Sequence, residues 1–319
     1  MNSAVGLSLL LVLALAGTGT ISGPYRAPRT ALGQPDLEGL WTSNSLTRLE
    51  RPDIYPTVVI SEAQARAVEP LPLIGPDPTG QAESETYDEG LALARIRGQI
   101  RTAWIVDPPD GRLPFTPQGR ARATKPPTFD GPETRTNQER CLMMPGVGPP
   151  LASSLYNNNL QIVQTKDHVV IFMEMNHEVR IIPIGRRAHG PVPLWMGDSI
   201  GWWEGDAFVM ETTNFVPGQS LRSSPLIRTY LSANAVVTER LERVSPSEIL
   251  YSYTVVDPPN YTRPWRGEMP LIRTKGPIYE YACHEGNYSL PNILAGARVE
   301  ERAAASVTTT AANAHPTSP

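Results

Sequence analysis

The chain has 319 residues, 28 basic against 32 acidic side chains for a net charge of −4, two cysteines and 33 prolines. Hydrophobic residues at 40% and charged residues at 19% suit a folded core and exclude wholesale disorder or collagen-like repetition. No Lys/Arg-rich block is present, which argues against nucleic acid as the main partner, because phosphate neutralisation needs a concentrated basic face.

At the amino end the apolar run from Val5 to Ala16 is too short to span a bilayer and ends in Ala14-Leu15-Ala16, the small-x-small form of a cleavage site. Residues 1–16 are therefore read as a signal peptide, residues 17–35 as a linker, and the protein as periplasmic or secreted, with no integral membrane segment after signal removal. In an oxidising compartment Cys141 and Cys283 have a single intramolecular pairing open to them, so a disulfide is expected; two separate buried thiols are the alternative.

From Asp36 the elements follow in order, as one β-rich domain over residues 36–306. Gly39-Leu40-Trp41 reads as an opening strand, and Ser61-Glu62-Ala63-Gln64 as a capping box before a short helix. Residues 107–150 carry ten prolines, which exclude a long helix or a central strand and predict an extended proline-rich arm. After Tyr156 the pattern becomes short β-rich runs between turns: 160–165 with 168–173, 179–184, 200–204 with 207–213, 236–244 with 249–255, 265–272 and 277–283. This predicts a mainly β fold, an antiparallel meander curled into a barrel-like sheet. A helix is expected over 290–305 and a disordered tail over 307–319. Along Val236 to Val244 one face carries Val237, Glu239, Leu241 and Arg243, a mixture that suits a barrel lined around a ligand or, alternatively, a solvated edge strand.

Three clusters carry candidate chemistry. Tyr156-Asn157-Asn158-Asn159 supplies amides as ligand clamps, and Glu174-Met175-Asn176-His177-Glu178-Val179-Arg180 supplies carboxylates, an imidazole and a guanidinium. Here His177 is the candidate general base or acid, Glu174 its orienter across a hairpin turn, and Arg180 a substrate clamp; plain cross-strand charge pairs are the alternative. A three-ligand metal site from Glu174, His177 and either His284 or Asp198 has weaker spacing, and none is assigned. His284, beside Cys283, is a further catalytic candidate. Trp195, Trp202, Trp203 and Trp265 supply aromatic walls, with Trp203 and Trp265 assigned to the pocket together with Asn157, Asn158, Glu239 and Arg263. There is no G-x-x-x-x-G-K-[ST] and no G-x-G-x-x-G, so no organic cofactor is expected.

Val106 to Arg112, Tyr156 to Gln164, Val170 to Pro183, Gly201-Trp202-Trp203-Glu204-Gly205-Asp206 and Tyr281 to Asn287 together resemble a large family of exported bacterial proteins, mostly uncharacterised. The likeness spans nearly the whole chain after Asp36 and implies no particular activity. Gly39-Leu40-Trp41 and the meander are also similar to lipocalins. Together these features predict an exported protein binding a small, partly apolar molecule, with a cofactor-independent lyase, isomerase or hydrolase step open to it. The alternative is a non-catalytic envelope protein that binds a partner chain through its proline-rich arm and tail.

Overall fold

A computed structural model describes residues 25–68, 92–154, 156–185, 187–217, 219–222 and 228–313. The expected signal peptide lies outside the described residues. Part of the expected linker is described: residues 29–35 turn back on themselves through an Arg29–Pro35 bridge, and Gln34 Nε2 donates to the Thr165 carbonyl at 3.1 Å.

The strands are β1 (Gly39–Thr42), β2 (Val59–Ile60), β3 (Arg95–Ile96), β4 (Gln99–Arg101), β5 (Ile105–Asp107), β6 (Asn159–Gln164), β7 (His168–Met173), β8 (Val179–Pro183), β9 (Asp198–Glu204), β10 (Ala207–Thr213), β11 (Gln219–Arg222), β12 (Arg228–Leu231), β13 (Val236–Ser245), β14 (Glu248–Val256) and β15 (Trp265–Arg273). The helices are α1 (Glu62–Ala67), α2 (Pro117–Thr124) and α3 (Ser289–Asn313). The main sheet runs β8-β7-β6-β1-β15-β14-β13-β10-β9, with β5 added at β15, and every pair along it is antiparallel. Its two end strands approach each other through an Ile184–Gly201 bridge, so the sheet is a nearly closed nine-strand barrel.

Alternation decides what fills it. On β13, Val237, Glu239 and Leu241 are fully buried and Arg243 nearly so, while the residues between them are half exposed. Register carries one inward row across five strands: Gly201, Met210, Glu239, Tyr253 and Gly267. Glycine stands at both ends because aromatic rings lie on it. A Cβ at Gly201 would meet Phe208 Cζ at 2.3 Å, and one at Gly267 would meet Tyr253 Cζ at 2.2 Å. Trp41, Trp104 and Trp265 are among the largest fully buried side chains, each worth about 3 kcal/mol of apolar burial.

Three expectations change. The proline-rich segment is not a purely extended arm: Thr116 caps α2, whose N1 proline costs no hydrogen bond, and Leu113, Met143, Met144, Val147 and Leu151 are buried in the main core. Residues 277–283 form no strand, because Tyr279 N–H turns to the Glu174 carboxylate and Cys283 is tied to Cys141. The C-terminal helix continues to Asn313, six residues beyond the start of the expected tail at 307, since neither Gly nor Pro interrupts 307–313. The Ser61–Gln64 capping box forms as the sequence predicts, with both reciprocal bonds present.

The Cys141–Cys283 disulfide joins the proline-rich segment to the chain just before α3, with a Cα–Cα distance of 5.7 Å. Closing a loop of 142 residues is worth at most about 5 kcal/mol in the chain-entropy description.

Candidate functional site

The inward carboxylate of β13 and the inward guanidinium of β8 meet inside the barrel. Arg180 donates Nη1 and Nη2 to Glu239 at 2.9 and 2.5 Å, a two-pronged pair with side chains 2% and 0% exposed. Tyr251 Oη donates to Glu239 at 2.7 Å and accepts Leu151 N–H at 2.7 Å, so the residue that follows the proline-rich segment joins the same network. Arg180 Nη2 also approaches Ser199 Oγ and Thr212 Oγ1 at 3.3 and 3.4 Å, and these two hydroxyls lie 2.8 Å apart. Burial pulls the Arg180 guanidinium down, but the charge and hydrogen bonds of Glu239 more than restore it, leaving it above its ordinary value. Burial and the adjacent Glu239 charge push the Tyr251 phenol well up. Arg180 Nε is buried and has no hydrogen-bond partner.

Beside this network the barrel is open. A cleft of about 330 Å³ lies between β8 and β9, lined by Glu178, Val179, Arg180 and Ile181 on one side and by Leu194 to Ser199 on the other. Trp195 and Met196 give it an apolar wall, and Glu178, Arg180, Asp198 and Ser199 its polar groups. Burial raises the Glu178 carboxyl, and the Asn176 amide and the Arg180 charge offset this only in part. At the rim His189 stands between two carboxylates, Nδ1 at 2.9 Å from Asp198 and Nε2 at 3.3 Å from Glu211, while Asp198 also accepts Gly190 N–H at 2.8 Å. That contact pins the loop leading to Leu194 against β9 and β10.

The expected acid–base pair is not assembled. Glu174 is buried and its carboxylate accepts from Asn157 Nδ2 at 2.6 Å, Asn159 Nδ2 at 3.0 Å and Tyr279 N–H at 3.4 Å. His177 is exposed; it bonds to Glu174 only through its main-chain N–H, and its ring stands edge-on to Phe172 at 4.6 Å. The cause is the turn: Asn176 and His177 both take left-handed φ, 61° and 54°, so the imidazole is thrown outward instead of across a hairpin. Asn158 is likewise structural, donating to Asn44 Oδ1 and the Ser154 carbonyl and accepting Ser154 N–H.

Among the remaining candidates, Glu239 and Arg180 come together, but as partners of each other. Trp265 is packed edge-on against Tyr253 and Tyr261 at 5.6 Å and is 1% exposed, so it is a core residue and not a cleft wall. Trp203 is half-buried against Phe208 at 5.0 Å. Arg263 is exposed and paired with Asp107, and His284 is exposed beside the disulfide. Sequence reasoning passed over Glu178 as a cleft group and the His189–Asp198–Glu211 cluster; their available signal is alternation, which puts Glu178 on the same face of β8 as Arg180. Among the described residues no group of three or more His, Cys, Asp or Glu is placed to hold a metal ion, and no helix is long and apolar enough to cross a membrane. Comparison with family models, curated proteins and solved structures finds no match to this chain.

Proposed function

We propose that this is an exported barrel protein that binds a small, partly apolar molecule in the cleft between β8 and β9. The observation that carries the reading is Arg180. Arg180, fixed by Glu239, is among the residues that line a side opening of the barrel, and its buried Nε–H lacks a protein acceptor. A buried donor left without a partner costs about 1–3 kcal/mol, which a ligand oxygen can recover. Trp195, Met196 and Leu194 supply apolar contact for the rest of the guest.

This reading moves the site from the Trp203–Trp265 interior to the seam of the wall. It assigns no acid–base step to His177 and Glu174. A partner-binding role for the proline-rich segment has less support, because its apolar side chains are in the core. The test is titration of the full chain with a panel of small carboxylic acids, amides and amines carrying apolar groups, followed by tryptophan fluorescence. Ser199→Leu, which fills the cleft, should abolish the response to any binder while Ser199→Ala preserves it. Binding unaffected by Ser199→Leu would place the guest elsewhere.

A further inference from the structure

The path of the barrel wall has nine strands, an odd number, so antiparallel alternation brings its end strands β8 and β9 together pointing the same way. Their one bridge, Ile184 to Gly201, is accordingly parallel. Register on the β7 side determines which main-chain groups β8 presents at this junction. Met173 N–H donates to the Glu178 carbonyl and Ile184 N–H to the Asp167 carbonyl. Arg180 and Ile182, in step with these, therefore bond to β7, and Val179 and Ile181 turn their main-chain groups toward β9. On the other side the Gly201 carbonyl accepts Gly185 N–H at 2.7 Å, so Gly201, and Ser199 two residues before it, face β8. Among the described residues that bridge is the one pairing between the two edges. Beyond it the strands part, and the cleft lies between residues 178–181 and 197–199.

We propose that this cleft is an open strand position, taken by a short extended peptide segment that runs antiparallel to both β8 and β9. The proposal rests on the reading of the cleft as the binding site and names the class of guest. A tenth strand in that direction would meet Ile181 on one side and Ser199 on the other and would replace a parallel closure by two antiparallel ones. The lined length, three to four residues at about 3.3 Å each, sets the paired part of the guest at three or four residues. Its outward side chains would lie along Val179, Ile181 and Leu194, which are 45%, 63% and 48% exposed, so apolar β-branched residues fit there. The cleft is lined by the carboxylates of Glu178 and Asp198; its one cation, Arg180, is already paired with Glu239, and one imidazole, His189, is shared between Asp198 and the neighbouring Glu211, so acidic groups outnumber basic ones there. Basic side chains at alternate positions supply the missing countercharge. The guest is therefore an extended segment of another polypeptide in which apolar and basic residues alternate.

The experiment titrates the full chain with the blocked peptide acetyl-Val-Lys-Val-Lys-Val-amide and with its acetyl-Val-Lys-Pro-Lys-Val-amide counterpart, by calorimetry and tryptophan fluorescence. One-to-one binding of the first peptide is expected, weakened at least tenfold by the central proline, which removes a main-chain donor. Ile181→Pro, which removes the seam-facing N–H of β8, should weaken it similarly, and Ser199→Leu should abolish it. The peptide pair leaves the protein untouched, so the comparison survives even if Ile181→Pro does not fold. Equal affinity for both peptides would overturn the proposal, since main-chain pairing would then not be what is recognised. So would sedimentation showing a dimer dispersed by Ser199→Leu, which would assign the position to a second copy. Peptide failure with retention of a small-molecule binder sensitive to Ser199→Leu overturns the strand position alone; failure of both removes the cleft as a binding site.

Discussion

The buried Arg180–Glu239 pair gives the sharpest quantitative expectation. Both side chains are out of contact with water, and their charges lie within 2.5–2.9 Å of each other. At an effective dielectric of 20 the mutual attraction is about 6 kcal/mol, comparable with the cost of desolvating the two ions. Removing one partner keeps the cost and loses the attraction. Arg180→Met or Glu239→Leu alone should therefore destabilise by about 3–5 kcal/mol, lowering Tm by roughly 6–15 °C in a domain of this size. The double variant, which leaves no unpaired charge, should lose far less than the sum, with a coupling of at least about 2 kcal/mol. Guanidinium unfolding of the four proteins, disulfide intact, measures the cycle. Additivity within about 0.5 kcal/mol would refute the claim that the two charges are held as a unit.

Glu178 has its carboxyl raised by burial, so the folded protein binds that proton more tightly than the unfolded chain, and stability contributed there falls as pH rises through and above the ordinary carboxylate range. Glu178→Gln should accordingly gain on the wild type between pH 4 and pH 7 in thermal melts, and a constant difference would contradict this assignment. Glu174→Ala should cost about 1–3 kcal/mol because it strands the Asn157 and Asn159 amides, whereas His177→Ala should leave Tm within about a degree. Reduction of Cys141–Cys283 should destabilise by up to about 5 kcal/mol, read as the shift in denaturation midpoint with and without reductant.

Much of the wall was legible in the sequence because its signals are local. Lys166-Asp167, Gly205-Asp206 and Ser245-Pro246-Ser247 mark hairpins that the structure places between β6 and β7, β9 and β10, and β13 and β14. The mixed face of β13 was legible as either a barrel lining or a solvated edge; the structure turns it inward, with a consequence no local pattern carries. Arg180 and Glu239 are 59 residues apart, and no local pattern says that one neutralises the other instead of facing a guest. Arg243 shows the same limit, bonding to Asp36 and to the Pro246 carbonyl. The His177 imidazole is turned away from Glu174 by two left-handed residues in succession, which Asn176 permits and histidine seldom adopts. The strand expected over 277–283 failed because the free edge it needed was already occupied: β1 stands between β6 and β15.

That position of β1 fixes an order of events. Trp41 pairs with Arg273 on one side and Leu160 on the other, so the first stave of the wall made during synthesis touches the last, 232 residues later. Until β15 has emerged, β1 and β14 have nothing between them, and the wall cannot close. Such long-range closure slows folding and leaves unpaired edges waiting. Completion of the barrel thus belongs to the finished chain, after its C-terminal third is free to fold.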